Sequence, residues 1–182
     1  MKIISLASDQ GQLIQQAAQL LVDGFKDHYP EAWPTLKDGL MEVHEMLAAD
    51  RILRAAIDNE ASLIGWIGGI PQYDGLVWEL HPLVVKPGLQ TKGIGTALVR
   101  DFEEQVRSRG ALTITLGSDD EDNQTSLSNV DLYTDTWKKI NEIKNLNRHP
   151  YEFYQKMGYV ITGVVPDANG IGKPDILMAK HV

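Results

Sequence analysis

The sequence predicts an α+β fold around a mixed sheet, and three observations predict it. Apolar residues keep a helical spacing through Leu47 and change to a period of two from Arg51. Three strand-like runs then succeed one another through tight turns at Asn59-Glu60 and Asp74-Gly75, the pattern of an antiparallel meander. Finally, HPLVVKPGLQTKGIGTALV passes from the third run, through a loop holding Gly93 and Gly95, into an amphipathic helix.

The elements follow in order. KIISLA, residues 2–7, reads as a first strand, and Ser8-Asp9 as a capping pair for a helix striped by Leu13, Ala17, Leu20, Leu21 and Phe25. HYPEAWP, with two prolines, reads as a loop before a second helix carrying Leu40, Val43, Met46 and Leu47. RILRAAID and SLIGWIGGIPQY form the expected hairpin, and LVWELHPLVV the next strand. The helix from about Gly93 to Arg109 spaces Leu98, Phe102 and Val106 by four and stops at Gly110. ALTITLG is a short β-branched run whose pairing with the meander would make the sheet mixed. Residues 118–130 are an acidic loop leading into a helix through Leu132, Trp137 and Ile140. His149-Pro150 opens a short helix that Gly158 ends, and YVITGVVP and DILMAK supply the last strands. With no repeat and no linker, residues 1–182 are expected to form one domain.

A chain of 182 residues with 43% hydrophobic content has enough apolar side chain to fill a core. Its 25 acidic residues exceed its 17 basic ones, and the net charge of -8 repels nucleic acid and anionic lipid while favouring cationic small molecules. The absence of cysteine removes disulfides, thiolate metal sites and a cysteine nucleophile together. No apolar run approaches the roughly 18–20 residues of a membrane span, so a soluble, cytoplasmic protein is expected. His28, His44, His149 and His181 have no ligand spacing, and no metal is expected.

The loop Gln90-Thr91-Lys92-Gly93-Ile94-Gly95, opening a helix, suits a pyrophosphate: glycines let backbone approach the anion, and free N–H groups and the helix dipole attract it. A Walker loop would place Lys after its glycine, whereas Lys92 precedes Gly93; a dinucleotide fingerprint would have a small residue where Leu98 stands. On the preceding strand, alternation is expected to put Glu79, His81 and Leu83 on one face, opposite Trp78 and Leu80.

Gln90-x-x-Gly93-x-Gly95 resembles the signature of the GNAT-superfamily acetyltransferases, and the element order is similar to theirs. Longer strings bring the resemblance closer to the chromosomal type of aminoglycoside 6'-N-acetyltransferase. They include Ile70-Pro71-Gln72-Tyr73, Trp78 to Val85, Thr125-Ser126-Leu127-Ser128, His149 to Tyr154, Asn169-Gly170 and Lys173-Pro174-Asp175-Ile176. The resemblance implies the GNAT fold, with a splay between the fourth and fifth strands, and implies acetyl-CoA as donor with no metal. It implies that Leu83, Val84 and Val85 hold the pantetheine arm by backbone groups, and that Gln90, Thr91, Lys92, Gly93, Ile94, Gly95 and Thr96 hold the pyrophosphate. The Leu83 N–H would polarise the thioester carbonyl, and Tyr154 would contact the donor and protonate the departing thiolate. A homodimer is implied as well.

Aminolysis of a thioester needs a neutral amine, a polarised carbonyl and a protonated leaving group. Glu79 is placed to receive the ammonium, with His81 as an alternative base or a wall of the acceptor site. Asp119 and Asp120 are expected to meet a polycation, with Trp33 and Tyr73 as apolar walls. The acceptor expected is the 6'-amine of an aminoglycoside, by direct transfer in a ternary complex, since no cysteine is available to carry the acyl group. A polyamine or protein amine, or acyl-CoA binding without turnover, are the alternatives.

Overall fold

The computed structural model describes residues 1–182, which divide into two compact units, Met1–Ile114 with Val182, and Thr115–His181. In the first unit β1 (Lys2–Ser5), β2 (Ile52–Ile57), β3 (Leu63–Gln72) and β4 (Val77–Val85) pair antiparallel in chain order. Helices α1 (Gly11–Phe25) and α2 (Leu36–Met46) precede the meander, and α3 (Ile94–Ser108) follows it.

The register assigns each helix its face. Trp66 of β3 stands opposite Ala55 and Val84, and its indole N–H donates to the Ala17 carbonyl of α1 at 3.1 Å. Ala17, Leu21, Val43 and Met46 close over that face in one apolar core. One residue along, the side chains reverse: Arg54, opposite Ile67, makes a two-pronged ion pair with Asp101 of α3 at 2.6 and 2.9 Å. Gly68 and Gly69 expose both faces in turn. A Cβ on Gly68 would collide with the His81 carbonyl oxygen and Met46, and one on Gly69 with the Phe102 ring of α3.

The Gly68 contact explains the irregularity in β4. Ile67 pairs with Leu83 and Gly69 with Leu80, so His81 and Pro82 together oppose Gly68, a β-bulge, and the His81–Pro82 peptide is cis. One extra residue reverses the alternation. Glu79, opposite Ile70, therefore lies on the α1–α2 face, whereas Leu83, opposite Ile67, lies on the α3 face. The expectation that Leu83 shares a face with Glu79 is thus overturned, and Val84 takes its place, packed so closely that a Cβ on Gly24 of α1 would meet it at 2.6 Å.

In the second unit β5 (Thr113–Asp119), whose first two residues belong to the first unit, is followed by α4 (Thr136–Asn141), α5 (Tyr151–Lys156), β6 (Val160–Val165) and β7 (Asp175–His181). The strand order is β5-β7-β6, with β6 antiparallel to β7. A Cβ on Gly117 would stand 2.5 Å from the Asp175 carboxylate.

Two local expectations change. Helix α1 begins at Gly11 without a side-chain cap; the Gln10 amide oxygen instead accepts the Ala7 N–H at 2.9 Å, and Ser8-Asp9 form a turn. The helix expected through Leu132 shortens to α4, because the Asp131 carboxylate accepts the Tyr133 N–H and the Thr134 hydroxyl, and Asp135 adopts a left-handed φ of 49°. Trp137 is consequently exposed. No helix is long and apolar enough to cross a membrane.

Candidate active site

Helix α3 differs from α2 in how it begins. The α2 start is closed by a capping box, with the Thr35 side chain on the Asp38 N–H and the Asp38 carboxylate on the Thr35 N–H. The α3 start has no side-chain cap and no acidic residue in its first turn, so its leading N–H groups and dipole are uncompensated by the chain. Thr91 at φ 62° and Gly93 at φ 86° flank Lys92, and alternating handedness of this kind turns successive N–H groups into a concavity for an anion. Gln90, Thr91, Lys92 and Gly93 are exposed, Gly95 and Thr96 half-buried and Ile94 buried in the core, while a Cβ on Gly93 would meet nothing within 4 Å. The side-chain ion pair of Arg54 with Asp101 ties the helix behind this loop to the sheet.

On the α1–α2 face of the same unit, the side chains of β4 gather polar groups. The Gln72 amide donates to the Glu79 carboxylate at 2.7 Å. His81 stands 6.0 Å from the Trp33 ring, which packs edge-on against Phe25 at 4.8 Å. Between them lies Glu42 of α2, only 17% exposed, accepting the Trp33 indole N–H at 3.4 Å and facing His81 Nε2 at 3.6 Å. Trp33, Glu42, His81 and Glu79 thus line one face of β4. Tyr73, in a 3-10 turn after β3, is 75% exposed.

Sequence reasoning missed Glu42. It occupies an ordinary position of an amphipathic helix, and only the packing of α2 over β3 and β4 brings it to His81. Gln72 lies within one of the resemblance strings, but only the β3–β4 register brings it to Glu79.

In the second unit Tyr154 of α5 is buried, its ring 5.1 Å from Phe153 and 5.7 Å from Tyr159. Burial pushes its phenol well above the ordinary range, so the group is protonated at neutral pH. Asp120 is corrected by its surroundings. It is fully buried, and its carboxylate accepts the Gln124 and Thr125 N–H groups at 2.6 and 2.8 Å and the Ser128 hydroxyl at 2.5 Å. Burial raises its pKa, but hydrogen bonds from Ser128, Thr125 and Gln124 outweigh that and leave it below the usual carboxylate range. It shapes the loop and offers no charge to solvent. Asp119 is half-buried and accepts from the Asn169 amide at 2.5 Å.

The acetyltransferase (GNAT) family matches residues 15–134, a span that includes the loop 90–96 and Glu79. The chain belongs to that family. Comparison with curated proteins gives no match. Among solved structures, this GNAT chain is similar over 100% of its length, at 46% identity and a TM-score of 0.91, to an aminoglycoside 6'-N-acetyltransferase complexed with coenzyme A, 97% of which is covered. An aminoglycoside 6'-N-acetyltransferase from Enterococcus faecium is 46% identical with a TM-score of 0.89, covering 100% of this chain and 97% of that one. An aminoglycoside 6'-acetyltransferase type Ii is 39% identical with a TM-score of 0.75, at the same coverage. The GNAT fold anticipated from the glycine loop and element order is therefore the fold of this chain, and acetyl transfer from acetyl-CoA is its chemistry.

Proposed function

We propose that this protein is an acetyl-CoA-dependent aminoglycoside 6'-N-acetyltransferase that works by direct transfer within a ternary complex. The observation that carries this reading is likeness along the whole chain, at 46% identity, to enzymes of that name. The donor fits the chain's own residues: α3 presents uncapped N–H groups, no acid opposes a diphosphate there, and the space in front of Gly93 is open.

Bound acetyl-CoA supplies an acetyl group activated as a thioester. The roles of the chain's residues follow from charge and position. Gln90 to Thr96 grip the diphosphate, and Leu83 to Val85 hold the pantetheine arm by their backbone. The Leu83 N–H points the carbonyl toward attack, a role its backbone keeps although its side chain faces α3. Glu79, fixed by Gln72, receives the substrate ammonium and takes its proton, with His81 as the neighbouring alternative. Tyr154, held protonated by burial, hydrogen-bonds the departing thiolate as the amide forms, while the proton released at the amine is taken up by Glu79. Trp33 and Tyr73 flank the sugar rings, and Asp119 contributes charge; Asp120 supports the loop that carries Asp119.

The product amide is neutral at pH 7, so the antibiotic loses one cation and its grip on anionic targets, and we infer a resistance role. The need for acetyl-CoA and the absence of cysteine support a cytoplasmic location, and the family resemblance supports a homodimer. A thiol-release assay across aminoglycosides with and without a 6'-amine tests the proposal. Release is expected with kanamycin and tobramycin and not with 6'-hydroxyl analogues. Release with spermidine or a lysine peptide far above every aminoglycoside would transfer the enzyme to another amine.

A further inference from the structure

Tyr154 sits on a helix of six residues, too short to hold its own direction. The N-cap residue of that helix, Pro150, makes no side-chain cap. The cap comes from one residue earlier: His149 Nδ1 accepts the Tyr151 N–H at 3.2 Å, while its Nε2–H donates to the Asp119 carbonyl at the end of β5 at 2.9 Å. Asn145 clamps the same residue, accepting the His149 N–H at 2.8 Å and donating to the His149 carbonyl at 2.9 Å. The imidazole is buried and 5.7 Å from the Tyr151 ring. Only the neutral Nε2–H tautomer serves both partners, because one needs a donor and the other an acceptor.

We infer that His149 is a positioning residue for Tyr154. By joining the end of β5 to the first turn of α5, it sets the direction of a phenol one turn further along. This rests on the role given to Tyr154 in the proposed function. A short helix with an uncapped start would otherwise swing about Pro150, and a misplacement of about 1 Å at a reacting group lowers turnover by up to about 100-fold. Stabilising the departing thiolate requires that alignment, whereas ground-state binding at Glu79 and at the loop 90–96 does not, and the Asp119 carboxylate is held separately by the Asn169 amide at 2.5 Å.

The test is a double-mutant cycle on kcat with His149→Asn, Tyr154→Phe and the pair, alongside both Michaelis constants and the thermal unfolding midpoint. Asn preserves an acceptor for the Tyr151 N–H but cannot reach Asp119. His149→Asn is expected to lower kcat about 10-fold with both KM values within twofold, and the double variant to lose no more than Tyr154→Phe alone. Multiplicative losses in the double variant, or a rise in both KM values at unchanged kcat, would overturn the positioning role and leave that of Tyr154 intact. Wild-type kcat in Tyr154→Phe would overturn the role of Tyr154 and this inference with it. If His149→Asn melts below the assay temperature, His149→Gln, which keeps a donor toward Asp119, carries the same cycle.

Discussion

The Gln72 amide donates to Glu79 at 2.7 Å, and in the proposed function the second carboxylate oxygen meets the acceptor. A carboxylate attracts an ammonium, whereas an amide of the same shape only hydrogen-bonds to it. Charge-assisted hydrogen bonds contribute about 1.5–3 kcal/mol, so Glu79→Gln should lower kcat/KM for the aminoglycoside by about 10- to 100-fold. The KM for acetyl-CoA should stay unchanged, as steady-state titration of each substrate would show. Glu42 has longer contacts, 3.4 Å to Trp33 and 3.6 Å to His81, and partly exposed pairs contribute about 0–1 kcal/mol. Glu42→Gln should therefore cut acceptor kcat/KM by about fivefold or less. The chemical residue types on β4 were readable from sequence, because a lone carboxylate and imidazole in an apolar strand stand out. Glu42 and the true position of Asp120 were not: one is brought in by helix packing, the other drawn inside by three donors.

Among the elements, β4 and α3 carry the proposed site, and each depends on a glycine for a different reason. Gly68 admits the His81 carbonyl at the bulge, and overpacking a close contact of this kind typically costs about 1–3 kcal/mol. Gly68→Ala should lower the urea midpoint and also disturb acceptor KM, since the bulge is what turns Glu79 and Leu83 to opposite faces. Gly93 has open space around it, so Gly93→Val acts through its φ of 86°, which a β-branched residue adopts only with strain. Its effect should fall first on acetyl-CoA KM, about 10-fold or more, with the thermal midpoint lowered to an extent comparable with Gly68→Ala. The meander, both long early helices and the glycine loop were legible because hydrophobic period and turn residues agree there. Pro82 marked the break in β4, but a break does not reveal that the alternation reverses beyond it. Helix α4 was overdrawn because Leu132 and Ile140 suggest a longer stripe, while the local bonds of Asp131 end it early.

At the scale of the whole molecule, stability should depend on acidity through buried groups of the second unit. Burial lowers the His149 pKa, with the Asp119 and Asp120 charges and the Asp119 carbonyl opposing only in part. The unfolded imidazole, near its ordinary value, then binds a proton more readily than the folded one. The contribution of His149 is complete above pH of about 6.5 and is lost as pH falls through the lowered folded value. Asp120, also lowered, loses its contribution only in stronger acid. Unfolding free energy from urea titrations should fall as pH drops below about 6.5, and His149→Gln should flatten that slope. The net charge of -8 favours capture of a polycation by the whole surface, yet it does not choose which amine reacts. Product mapping shows which amine reacts: kanamycin incubated with acetyl-CoA and the enzyme, then read by NMR for the acetylated nitrogen. A single acetyl group on the 6'-nitrogen is expected, and acetylation at another nitrogen, or none, would contradict the proposed function.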